Sequence, residues 1–146
     1  MAREIDISRS ILAPADTVWE LLEKPVTWKS WWPECENARI LDRGALREGS
    51  SIEVTLKPDY RKYDFRPTVD LFTMGKTLSL THRSWSMGVT ACFYLSERKG
   101  GTLVRLQAVA EGLGMLFLSL TGRGALPHQT FDSGLRGLKR VAERLG

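Results

Sequence analysis

The sequence holds little of what marks specialised chemistry. It has two cysteines and two histidines in 146 residues, too few for a metal centre built from Cys/His pairs. Cys35 and Cys92 show no metal-ligand spacing, and two free thiols in a reducing compartment are expected over a disulfide. No apolar run reaches the length of a membrane span, and the longest, Leu113 to Leu120, is broken by Gly114 and Ser119. The opening Met1-Ala2-Arg3-Glu4 lacks the apolar region of a secretory signal, so a cytoplasmic address is expected. There is no HExxH, no phosphate-cradling glycine loop and no serine nucleophile elbow. The Gly112-x-Gly114 and Gly122-x-Gly124 pairs lack the strand–turn–helix setting of a dinucleotide site. No metal and no cofactor is expected. Linkers, repeats and low-complexity segments are also missing, and the length suits one domain, 1–146, able to bury a core without staples.

Charge of one sign is scarce too. The net charge is +4, and the basic residues are scattered apart from Arg136, Lys139, Arg140 and Arg144. Those four fall in the later turns of an expected helix, where cations complement the dipole and read as a solvated face. No nucleic-acid partner is expected.

Aromatic residues, by contrast, are concentrated. Four of the five tryptophans, Trp19, Trp28, Trp31 and Trp32, fall within one short stretch. Tryptophan is large and keeps a polar handle, so such a stretch should pack against something substantial. It follows an alternating strand carrying Ile5, Ile7 and Ile11. Pro14 stops that strand, and Asp16 is the expected N-cap of a helix over Thr17–Glu23 that buries Val18, Leu21 and Leu22. Pro25 breaks this helix. A second short helix from Val26 to about Trp31 ends at Pro33.

The period then changes to two. Ile52, Val54 and Leu56 share a face, as do Val69 and Leu71, and Leu78 and Leu80. So do Val89, Ala91, Phe93 and Leu95, and likewise Val104, Leu106, Ala108 and Ala110. Turn signals such as Met74-Gly75 and Lys99-Gly100-Gly101 separate the runs, which predicts consecutive antiparallel strands with one wet face each. With a weaker strand over Ala38–Leu46, seven strands are expected. Helical spacing returns in Phe131, Leu135, Leu138, Ala142 and Leu145. Pro127 either opens this helix or kinks a longer one starting near Met115. Gly134 and Gly137 weaken it, which points to a close backbone approach to the sheet or to something held between. The fold class is therefore α+β: a curved seven-stranded antiparallel sheet around a long C-terminal helix, with two short helices between strands 1 and 2.

That order resembles the START-like or SRPBCC superfamily, the helix-grip fold of polyketide cyclase/dehydrase-type proteins. The resemblance rests on Ala13-Pro14-Ala15-Asp16-Thr17-Val18-Trp19, on Trp28 with Trp31-Trp32-Pro33, and on Phe93-Tyr94-Leu95 before Gly101-Thr102-Leu103-Val104. Leu135-Arg136-Gly137-Leu138-Lys139 with Ala142-Glu143 completes it. It implies a deep apolar cavity between sheet and long helix, used across the superfamily for lipids, sterols and polyketides. Some members are enzymes, some carry ligands, and some stimulate a chaperone ATPase. The Cys/His pairs of Rieske-type oxygenase relatives are missing here.

On this footing the ligand-binding candidates are Trp28, Trp31, Trp32, Val54, Leu71, Leu80, His82, Ala91, Phe93, Leu106, Ala108, Phe117, Phe131 and Leu135. The small residues Ala91, Ala108 and Ala110 leave room either for a ligand or for neighbouring bulk. His82 shares the inward parity of Leu78 and Leu80 and is the catalytic candidate, as an acid or base. The competing reading, a hydrogen-bonded core histidine or one at a strand end, is the stronger for a lone imidazole. His128 suits a surface or capping role. Arg83, Trp85 and Tyr94 should face outward. Glu111 and Arg123 flank a glycine-rich approach where a cavity mouth could lie, and the loop Asp59–Asp64 is read as an exposed connection before a lid. The favoured function is binding of a hydrophobic lipid- or polyketide-like small molecule. The alternatives are a polyketide cyclase/dehydratase-type enzyme and an interaction or chaperone-cofactor-like protein. Trp31 and Trp32 cannot share one direction in a helix, which leaves a homodimer surface or a cavity rim for one of them.

Overall fold

Alternating isoleucines and valines dictate a long strand at each end of the sheet's sequence, and the two strands meet in space. A computed structural model of the chain describes residues 2–63, 65–122 and 124–146. Strand β1 (Ala2–Ile11) pairs antiparallel with β7 (Gly101–Glu111), which pairs with β6 (Gly88–Arg98), then β5 (Thr77–Arg83), then β4 (Thr68–Thr73). The remaining strands β2 (Cys35–Ile40) and β3 (Ile52–Leu56) form their own ladder. It joins β4 through the Ser51–Thr68 bridge and the bond from Val69 N to Ser50 O, 2.8 Å. The result is a curved antiparallel sheet of seven strands, as the alternation predicts. The strand expected over Ala38–Leu46 runs instead over Cys35–Ile40, and Leu46 is buried outside it.

The register aligns the inward side chains into rows across the sheet. Ile7, Leu106, Phe93, Leu78 and Phe72 form one row, and Ile5, Ala108, Ala91, Leu80 and Val69 the next. The pairing shifts between Val69 and Leu71, a bulge at Asp70. It turns Leu71 to the outer face opposite Ser79, at 42% exposure. This corrects the shared face expected for Val69 and Leu71, because one extra residue reverses every later side chain. Phe72 takes the inward position and meets Trp19 edge-on, ring centroids 5.4 Å apart.

Helix α1 (Ala15–Glu23) buries Val18, Trp19, Leu21 and Leu22. Pro14, not Asp16, holds its N-cap position, and the Pro14 carbonyl accepts bonds from Thr17 N and Val18 N. Asp16 instead lies in the first turn, where a carboxylate suits the dipole. A three-residue turn at Pro25–Thr27 leads into α2 (Trp28–Trp31). The apolar run after β7 forms a separate helix α3 (Leu113–Leu120), and α4 (Leu126–Leu145) opens with Pro127 in its first turn. Pro127 thus starts the long helix rather than kinking it. Met115 and Leu118 of α3 form a small second core with Ala110, flanked by Met87 and Val89.

The glycines of α4 serve contact with α2 rather than the sheet. A Cβ on Gly137 would lie 1.8 Å from the Trp31 carbonyl oxygen, whereas one on Gly134 would first meet Trp32 Cδ1 at 3.5 Å. Only a bare backbone at 137 lets the long helix lie against the tryptophan turn.

Candidate functional site

The tryptophans are placed by their own indole N–H groups. Trp28 Nε1 donates to Leu22 O at 3.0 Å, and Trp31 Nε1 to Leu21 O at 3.1 Å. Each thereby satisfies its polar atom while burying its ring. Trp32 follows the end of α2 with extended backbone, so it diverges from Trp31 and donates to Thr130 Oγ1 of α4 at 3.2 Å. Trp31 is buried and Trp32 is half-buried at a cavity rim.

Under α4 lies an inner chamber of about 40 Å³, walled by the tryptophan turn, the sheet and one face of α4. Nine of the predicted ligand-contacting residues line it: Trp28, Trp31, Trp32, Leu80 and Ala91, together with Phe93, Leu106, Phe131 and Leu135. An outer chamber of about 100 Å³ adjoins it, and Trp32, Phe65, Thr130 and Phe131 belong to both. Its other walls include Glu34, Leu56, Tyr60, Met87, Val89 and Leu118. The resemblance implies a deep cavity, but bulky aromatic rings fill most of the space under the helix. Each chamber is smaller than the roughly 150 Å³ apolar cavity that admits benzene, and far below the ~300–1,000 Å³ of drug-sized pockets.

Three other predicted contacts lie elsewhere. Leu71 is on the outer face, as the bulge requires. Val54 is buried beside the Val54–Phe65 bridge, and Ala108 lies between Ile5 and Ala91 in its row, but neither is a chamber wall. The side chain of Phe117 lies outside the described residues, as does Arg123.

His82 is buried on the inner face, as its parity predicts. Its Nδ1 accepts a 3.0 Å hydrogen bond from Arg66 N, which leaves the neutral ring's proton on Nε2. Its ring lies 5.5 Å from that of Phe65, and Phe65 rather than His82 walls the chambers. The catalytic candidate is thus buried, with its Nδ1 engaged by the backbone. His128 is exposed in the first turn of α4, and Glu111 sits 3.9 Å from Arg83. Trp85 faces outward at 91% exposure. In the 58–63 turn, Tyr60 packs against the core and walls the outer chamber, so this connection is not wholly exposed. Asp64 lies outside the described residues.

Reading by residue type alone misses Glu34, Phe65 and Thr130. Glu34 follows Pro33 at the end of the tryptophan turn, and its carboxylate oxygens accept from Ser133 Oγ of α4 at 3.1 and 3.2 Å. Nothing in the local pattern separates it from a surface glutamate; only the return of α4 brings it to the chamber. Cys35, the next residue, is buried and its thiol is pushed up to about 11 by that burial. Both cysteines are free. Among the described residues no group of His, Cys, Asp and Glu could hold a metal ion, and no helix is long and apolar enough to cross a membrane.

Comparison with known proteins agrees with this geometry. The model of the family described as polyketide cyclase / dehydrase and lipid transport matches residues 11–117. A START superfamily protein from Mycobacterium smegmatis superposes with TM-score 0.75 at 15% identity, covering 98% of this chain and 99% of that one. Protein NE0264 from Nitrosomonas europaea gives TM-score 0.68 at 19% identity over 97% of this chain and 94% of that one. The di-domain ARO/CYC StfQ of the steffimycin biosynthetic pathway gives 0.72 at 13% identity, with 99% of this chain covering 51% of that one. At such identities the likeness is one of fold. No curated protein matches the chain.

Proposed function

The chain belongs to the polyketide cyclase / dehydrase and lipid-transport family, and from that premise we propose that it binds a hydrophobic small molecule whose buried part is ring-sized. The carrying observation is the pair of adjoining chambers, which together come close to the volume that admits one ring. The walls of the inner chamber are indole, phenyl and aliphatic groups, with Thr130 as the one polar side chain among the described residues. A wall of that kind favours an apolar ring through desolvation and edge contacts with Trp28, Trp31, Phe93 and Phe131. The ring spans both chambers, past Trp32 and Phe65.

Binding has more support than catalysis by His82, whose Nδ1 is engaged by the backbone and whose ring is covered by Phe65. A cytoplasmic address belongs to the same proposal and is supported by the two free, buried thiols. The test is native mass spectrometry of the purified protein, with titration of naphthalene followed by tryptophan fluorescence. Trp85→Phe removes the exposed indole's background, so the remaining signal comes from the buried and rim tryptophans. Expected is a co-purifying small molecule or a saturable spectral change. An empty protein whose fluorescence does not respond to naphthalene up to its solubility limit would sink the reading.

A further inference from the structure

The outer chamber carries one charge in an otherwise apolar setting. Glu34 is the sole ionisable carboxylate in the walls of either chamber, and no lysine or arginine lines them among the described residues. Its two oxygens offer about four acceptor sites. Among the described residues a single hydroxyl, that of Ser133, bonds to them, and its one proton is shared with the Thr130 carbonyl, whose oxygen lies 3.0 Å from Ser133 Oγ. Glu34, half-buried, therefore retains acceptor capacity beside a cavity, and no wall residue among the described residues compensates its charge.

Resting on the binding reading above, we propose that Glu34 selects the ligand class: an apolar ring bearing a hydrogen-bond-donating group, hydroxyl or ammonium, with anionic ligands rejected. The ring occupies the apolar walls, and the donor reaches the Glu34 carboxylate in the outer chamber. A charge-assisted bond to a carboxylate is stronger than a neutral one. A ligand carboxylate brought to the same place meets like charge at a half-buried position, where water screens it only in part. Rejection of that kind gives specificity by penalty as well as by attraction. A free fatty acid, with its anionic head, is on this basis a poor ligand, whereas a phenol or an arylmethylammonium ion is a good one.

The experiment compares four probes of one shape, naphthalene, 2-naphthol, 2-naphthylmethylamine and 2-naphthoate, on the full chain at neutral pH. Expected is binding of the naphthol and the amine at least about tenfold tighter than the naphthoate. Glu34→Gln keeps an acceptor for Ser133 but removes the charge, and should bring naphthoate to within about threefold of naphthol. Ser133→Ala leaves the charge and vacates its oxygens, and should keep the discrimination intact. Unfolding midpoints of both variants confirm that the folded state is being compared. Naphthoate binding as tightly as naphthol, or an unchanged preference in Glu34→Gln, overturns the assignment of Glu34 while the cavity reading stands. Failure of all four probes to bind overturns both.

Discussion

At the scale of single residues, two glycines three positions apart on one helix are predicted to behave in opposite ways. Alanine is the better helix former by about 1 kcal/mol. At position 134 the added methyl meets Trp32 at an ordinary contact distance, so Gly134→Ala should raise stability by about 0.5–1 kcal/mol. Because Gly134 walls the inner chamber, the same change should also weaken naphthalene binding. At position 137 the methyl would overlap a backbone carbonyl of the tryptophan turn, which cannot swing aside as a side chain would. Gly137→Ala should therefore cost about 2–3 kcal/mol despite its helix propensity. Urea unfolding of the two variants checks both signs. Both glycines were visible in the sequence as anomalies within a helical stripe. Which one was obligatory was not, since that depends on where the Trp31 carbonyl lies.

At the scale of elements, the bulge in β4 decides which side chains the core receives. Phe72 faces Trp19 inside and Leu71 lies outside. Phe72 is half-buried, and Phe72→Ala should cost about 2 kcal/mol by emptying that contact. Leu71→Ser should stay within about 0.5 kcal/mol, as surface changes do. A large loss at Leu71 with none at Phe72, in chemical denaturation, would restore the simple alternation and contradict the bulge. The sequence of β4 cannot reveal this, because a strand with one extra residue reads as two short alternations out of phase. Helix α3 shows a related limit. Its apolar run was plain, but its separation from α4 depends on Pro127 opening a new helix, a choice that local sequence leaves open.

At the scale of the whole molecule, burial of Cys35 ties stability to alkaline pH. The thiol's ordinary value of 9.0 rises to about 11 in the fold, chiefly because burial disfavours the thiolate. Below pH 9 it is protonated in both states. Above pH 9 the unfolded chain ionises first and binds fewer protons than the native one, so stability falls until the native thiol ionises near 11. The loss is on the order of 2 kcal/mol, and Cys35→Ala should remove that share of the decline. Unfolding free energies of the two proteins at pH 8, 9, 10 and 11 measure it; parallel curves would contradict the shift. Native Cys35 should likewise resist thiol reagents at pH 8 until the protein unfolds.

The sequence by itself determined the class of the fold. Period-two runs specify which faces of the strands are wet, and the i, i+3, i+4 stripe from Phe131 to Leu145 requires an apolar sheet to lie on. Together with the family resemblance it also singled out the tryptophan turn and nine of the chamber's walls, since inward parity is a local property of a strand or a helix face. Tertiary structure alone decided how much space remained between those walls. Cavity volume is a small difference between large filled volumes, and Phe65, Phe131 and Trp32 decide it by where their rings come to rest. Only the tertiary structure could bring Glu34 and Ser133, 99 residues apart, to one edge of that space. Charge placed beside a cavity is a property of the packed chain and of no segment within it.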